Sequence, residues 1–123
     1  TKALQVFDDT TSIVRTTLRF VEFYKHESCG KCTPCREGSW WLVQMLMRFE
    51  AGTAQEGDVD KMLDICDNIG GRSFCALADG AVACVTSAVK HFRSEFELGY
   101  HTPAQELFPY EKSALFAVEG DLS

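Results

Sequence analysis

Apolar residues return every three or four positions over most of this chain, the spacing of helices that bury one face. Ile13, Val14, Leu18, Val21 and Tyr24 predict a first helix near residues 12–25, with Asp8, Asp9, Thr10 and Thr11 as N-cap candidates ahead of it. Trp40, Trp41, Val43, Leu46, Met47 and Phe49 predict a second, from about residue 38 to 50, stopped near Gly52. Its apolar residues run almost all round, which places it either centrally in a bundle or against another chain. Val59, Met62, Leu63, Cys66 and Ile69 predict a third over 58–69, capped by Asp58 after the polar connection 53–57. The fourth and longest spans about 75–98, with Ala81, Val85, Ala88, Val89, Phe92 and Phe96 facing inward. Residues 2–7 read as a short strand. Residues 99–123 read as an extended tail that contains Thr102-Pro103, Phe108-Pro109 and the apolar piece 114–118. The expected fold is all-α: a small four-helix bundle with a cysteine-rich loop, a short N-terminal strand remnant and a C-terminal tail.

Composition narrows the function classes. The chain has 123 residues, enough for one domain, and 46% are apolar, which suits a folded core. Twelve Lys and Arg against eighteen Asp and Glu leave a net charge of −6. That balance speaks against nucleic acid as a partner, since binding it needs a basic face to displace phosphate counterions. No apolar run approaches the roughly 20 residues of a membrane span, so direct membrane insertion is not expected. Acids follow the first apolar cluster, residues 3–7, at once, which is not a secretory pattern. The chain starts at Thr1 and is expected to be a processed or excised piece of a larger protein.

The six cysteines carry the chemistry. Cys29, Cys32 and Cys35 form C-x2-C-x2-C. Three thiols this close cannot all pair as disulfides, but they can point into one concave loop. Soft thiolates converging on a point suit an iron–sulfur cluster or zinc, and the double C-x2-C step matches the first three ligands of a bacterial ferredoxin. The ferredoxin's next step is missing: Arg36-Glu37-Gly38-Ser39 follows, so a fourth ligand comes from farther along. Cys66 and Cys84 lie on helical apolar stripes, where a cysteine is usually a small core residue. Cys75 follows the turn Gly70-Gly71-Arg72-Ser73-Phe74, at the expected start of a helix with unpaired N–H groups, and is favoured over the other two. Gly30 lets backbone approach the site, Pro34 stiffens the turn, and Ser28, Thr33 and loop N–H groups are donors to sulfur.

The twelve-residue stretch Glu27-Ser28-Cys29-Gly30-Lys31-Cys32-Thr33-Pro34-Cys35-Arg36-Glu37-Gly38 resembles the ESCGxCTPCREG signature of the flavoprotein subunit of respiratory NADH:quinone oxidoreductase, complex I. Residues 70–77 with 90–96 resemble that subunit's fourth-ligand region, and the likeness covers about residues 6–98. The same domain occurs in flavoprotein subunits of NAD-linked hydrogenases and formate dehydrogenases, which are alternative settings. The resemblance implies a helical domain at 10–98 that holds one [4Fe-4S] cluster on Cys29, Cys32, Cys35 and Cys75, with 1–9 a remnant or linker. It implies a one-electron relay inside an oxidoreductase complex, taking electrons from reduced FMN and passing them to the next iron–sulfur cluster. The implied partners are a flavin- and NADH-binding domain or chain and other iron–sulfur subunits. The implied location is cytoplasmic, peripheral to the inner face of the membrane, or the matrix side if mitochondrial. The resemblance implies that FMN and NAD belong to a separate N-terminal domain, and no Gly-rich phosphate loop opens a helix here. The rival reading of the cysteines is a zinc-stapled structural module.

The remaining side chains read more plainly. Lys25, Lys31, Arg36 and Arg72 are candidates to offset a cluster's negative charge, Arg36 foremost because it follows a ligand. His26, His91 and His101 read as non-catalytic, Trp40 and Trp41 as core or interface packing, and no carboxylate pair suggests hydrolysis.

Overall fold

In a computed structural model that describes residues 4–108, five helices account for the regular structure: α1 Ile13–Glu27, α2 Thr33–Ala51, α3 Asp58–Ile69, α4 Leu77–Leu98 and the single turn α5 Ala104–Leu107. The all-α bundle expected from periodicity is present. The longer helices form a ring in which α1 and α3 each pack on both α2 and α4, while α2 and α4 touch across the middle. Val14, Leu18, Val21, Leu42, Leu46, Phe49, Val59, Met62, Val85, Val89 and Phe96 fill that interior. Phe49 and Phe96 meet edge-on with ring centroids 5.7 Å apart, a favoured aromatic geometry. No helix among the described residues is long and apolar enough to cross a membrane.

The helix ends differ from expectation in instructive ways. The N-cap of α1 is Ser12, whose Oγ accepts the Arg15 N–H at 3.2 Å, rather than any of residues 8–11. Glu95 of α4 completes the cap: its Oε1 accepts the N–H groups of Ile13 (2.7 Å) and Val14 (3.2 Å) and the Ser12 hydroxyl (3.2 Å). One carboxylate thereby satisfies orphan donors of α1 and pins it to α4. Helix α2 starts five residues earlier than its apolar stripe suggests, because Pro34 sits in its first turn, where a missing N–H costs nothing. The N-cap of α3 is Gly57, not Asp58. Asp58 is instead fully buried, accepts the Gln55 N–H at 2.8 Å, and pairs with Arg48 (2.8 Å) and Lys61 (3.4 Å).

Phe92, expected to face inward, is 45% exposed. The α4 backbone departs from helical geometry at that residue (φ −132°, ψ 32°), which breaks the periodic face. Trp40 and Trp41 are about half exposed while Leu42, Leu46 and Phe49 are buried, so α2 is central and also presents an apolar outer surface. Residues 4–7, the described part of the expected strand, form none, and Leu4 and Val6 lie exposed with no strand among the described residues to pair with. Residues 2 and 3 of that stretch, Pro109 and the apolar tail piece 114–118 lie outside the described residues.

Gly52 ends α2 with φ +73°, and a Cβ there would sit 2.5 Å from the Pro103 nitrogen and 2.7 Å from the Thr102 carbonyl carbon. Gly57 also has a left-handed φ (+87°) but open space around it. Gly52→Ala therefore adds a backbone clash to the left-handed cost of about 1–2 kcal/mol that both substitutions share. Urea unfolding is expected to show Gly52→Ala clearly less stable than Gly57→Ala, by roughly 1–3 kcal/mol. Equal midpoints would contradict the packing of α5 against the end of α2.

Candidate metal centre

The cysteine loop is built by two helix ends. Helix α1 stops at Ser28, whose N–H still donates to the Tyr24 carbonyl, and α2 starts after Cys32, whose carbonyl accepts the Arg36 N–H at 2.8 Å. Only four residues, Cys29 to Cys32, separate these ends. Gly30 turns the chain with φ +79°. Its carbonyl accepts Arg36 Nη1 at 2.7 Å, while Arg36 Nε donates to Glu37 at 3.0 Å. Arg36, the cation favoured from sequence, therefore braces the loop. Lys25 and Arg36 share an open recess of about 430 Å³ with Ser28, Gly30, Glu37 and Trp40. Lys31 and Arg72 are exposed outside it.

The three loop thiols grade from solvent to core: Cys29 is exposed, Cys32 half-buried and Cys35 buried in the first turn of α2. Ser28 Oγ lies 3.1 Å from Cys35 Sγ and accepts the Gly30 N–H at 3.2 Å. With one lone pair so occupied, the hydroxyl proton is free to donate to sulfur. Thr33, the other hydroxyl expected near sulfur, instead receives Arg36 Nη2 at 3.5 Å. The orphan N–H groups at the start of α2 add a positive field around Cys32 and Cys35.

The second segment arrives between α3 and α4. Gly71 (φ +70°) donates its N–H to Asp79 in the first turn of α4 at 2.8 Å, and Arg72 donates its N–H to the Ile69 carbonyl at 3.2 Å. The Phe74 N–H then donates to Cys32 Sγ at 3.4 Å, across 42 positions of sequence. That bond lays the turn bearing Cys75 against the cysteine loop. Cys75 is exposed and precedes α4 by two residues rather than starting it. No three His, Cys, Asp or Glu side chains among the described residues gather as ligands of a single ion. Donors already aimed at sulfur, and a buried Ser73 Oγ without a hydrogen-bond partner among the described residues, fit an anionic iron–sulfur group. Sequence reasoning misses both the Phe74 N–H and the Ser73 hydroxyl, since periodicity carries no signal for turn donors.

The other two cysteines stand apart. Cys66 is fully buried among core residues of α3, and burial, with a smaller contribution from Asp67, pushes its thiol from an ordinary value near 9 to about 12. Cys84 on α4 is half-buried, and burial raises its thiol too, against an opposing hydrogen bond from Tyr24. Both environments favour the neutral S–H and not a metal-binding thiolate. The His26 ring pairs with Glu27, the His101 ring meets that of Tyr100, and His91 is exposed.

Comparison with known proteins points to an iron–sulfur family. Residues 15–99 match the family described as the NADH-ubiquinone oxidoreductase-F iron-sulfur binding region. An NADH-quinone oxidoreductase subunit of Streptomyces coelicolor is 62% identical over 97 residues, which cover 79% of this chain and 22% of that protein. The corresponding NADH-quinone oxidoreductase subunit of Mycobacterium tuberculosis H37Rv is 59% identical over 96 residues, covering 78% of this chain and 22% of the relative. Among solved structures, an NAD+-reducing [NiFe]-hydrogenase in the air-oxidized state superposes with a TM-score of 0.73 at 31% identity, covering 80% of this chain and 17% of that one. The chain thus spans about a fifth of the length of the curated relatives it matches.

The raised Cys66 thiol has a pH signature. Below about pH 9 folded and unfolded chains both carry it protonated, and it adds no pH dependence. Between about 9 and 12 the unfolded chain sheds the proton while the fold retains it, so stability falls as pH rises. Urea midpoints measured from pH 7.5 to 11 are expected to drop in the alkaline range, and less steeply in Cys66→Ala. An identical alkaline slope in that variant would contradict the buried, protonated thiol.

Proposed function

The chain belongs to the NADH-ubiquinone oxidoreductase-F iron-sulfur binding family, and on that premise we propose that it is the one-electron relay of an NADH:quinone oxidoreductase, holding a [4Fe-4S] cluster on Cys29, Cys32, Cys35 and Cys75. The observation that carries the ligand set is the Phe74 N–H on Cys32 Sγ, which brings the Cys75 turn to the C-x2-C-x2-C loop. When bound, such a cluster supplies reversible one-electron chemistry without proton transfer at the site. The chain's own tasks follow. Four thiolates anchor the group, the start of α2 and the Ser28 hydroxyl stabilise negative charge on sulfur, and the bundle behind Cys35 excludes water. Cys29 and Cys75 face outward, so electrons enter and leave through a thin protein wall at this end of the bundle.

The electrons in this reading come from reduced FMN, with FMN and NAD held on a further domain of the larger protein, and pass to an iron–sulfur cluster of a neighbouring subunit. The complex lies peripheral to the inner face of a membrane. Identity to the Streptomyces quinone-oxidoreductase relative is twice that to the hydrogenase chain, which supports the quinone-linked setting over a hydrogenase.

Alanine variants of the full-length protein, prepared anaerobically, test the ligand set. Cys32→Ala and Cys75→Ala are expected to lose most iron and sulfide and the reduced-state EPR signal. Cys66→Ala and Cys84→Ala are expected to keep both. Full cluster content in Cys75→Ala, or its loss in Cys66→Ala alone, would reassign the fourth ligand.

A further inference from the structure

We propose that the Ser73 hydroxyl is a hydrogen-bond donor to sulfur at the cluster site, and that it raises the cluster's reduction potential. The inference rests on the cluster reading above and adds a positioning residue to it.

Ser73 lies in the turn between α3 and α4, two residues before Cys75 and directly before Phe74. Its Oγ is buried and meets no hydrogen-bond partner among the described residues. A buried hydroxyl in that state loses its bonds to water and gains nothing in return. The turn does not need it as scaffolding. Gly71 is tied to Asp79, Arg72 to Ile69 and Phe74 to Cys32, all through backbone N–H groups. The bond from the adjacent Phe74 N–H already ends on a cysteine sulfur, so this turn is the wall of the site on that side. The acceptors that a bound cluster adds at that wall are its sulfide sulfurs, which are anionic. A hydroxyl donated to anionic sulfur is charge-assisted, and it strengthens when the cluster gains an electron. Stabilising the reduced form more than the oxidised form raises the potential. Ser28 plays the matching part on the other segment, with its Oγ at Cys35 Sγ. Each cysteine segment then contributes one hydroxyl to the site.

The test uses Ser73→Thr and Ser73→Val in the full-length protein. These two replacements share size and branching and differ by one hydroxyl. Iron and sulfide are counted first, then the midpoint potential is read by EPR-monitored redox titration, and the reduced-state spectrum is compared in H2O and D2O. The Thr variant is expected to hold the wild-type potential. The Val variant is expected to titrate lower and to lose part of the line broadening from exchangeable protons. Equal potentials and equal deuterium effects in the two variants, at full iron and sulfide content, would overturn the proposal. Should the Val variant fail to load, Ser73→Ala takes its place against Thr, with the same lower potential expected. An unmodified protein without iron and sulfide would overturn the cluster reading instead, a separate and recognisable outcome.

Discussion

Two short cysteine segments, forty positions apart, have to meet at one end of the bundle, and the Phe74 N–H on Cys32 Sγ is where they do. Helix lengths make that meeting a constraint on the whole fold. At 1.5 Å per residue, α2 carries the chain about 28 Å from the cysteine loop and α3 returns it about 18 Å. The shortfall of about 10 Å falls to the turn at 70–76, which is easily long enough at about 3.3 Å per residue. Gly71 and the Asp79 clamp shape that turn so that it ends on the loop instead of trailing into solvent. Gly52 sets the far reversal, and Glu95 locks α1 to α4, so the loop that α1 delivers stays in register with the turn that α4 receives.

The same bundle sorts its cysteines by electrostatics. Cys32 and Cys35 sit among the N–H groups of a helix start and near side-chain donors, where negative sulfur is stabilised. Cys66 sits in the core and Cys84 half-buried on α4, and in both places desolvation pushes the thiol up. Four cysteines thus divide into ligand candidates and packing groups through position alone, while Cys29 and Cys75 lie exposed. Burial also separates the second helix's roles. Leu42, Leu46 and Phe49 anchor the interior, while Trp40 and Trp41 remain half exposed beside the site.

Much of this is legible in the sequence, and what is not has physical reasons. The stripes Val14-Leu18-Val21 and Val59-Met62-Cys66-Ile69 mark α1 and α3 because each helix buries a single face. The apolar stripe places the start of α2 too late because the first turn holds Thr33, Pro34 and Cys35, residues suited to the site and not to a buried face. Periodicity turns Phe92 inward because it assumes an unbroken helix, and the backbone break at that residue is not written in side-chain polarity. The stretch before α1 has the composition of a strand, but strands need partners, and none is present among the described residues. Within the site, thiol spacing points to the loop, and the Gly-rich turn ahead of an expected helix start points to Cys75 as the fourth candidate. The donors on sulfur are backbone or turn groups whose positions only folding determines.

The central claim is that these thiols hold a cubane and not a single structural ion. It is tested most directly by the iron, sulfide and zinc content of the unmodified full-length protein, purified without oxygen. The account predicts that the share bound to this domain is about four irons and four acid-labile sulfides, with no stoichiometric zinc and with a cubane EPR signal on reduction. One zinc held by the same cysteines, without sulfide and without that signal, would contradict it and leave the domain a metal-stapled bundle.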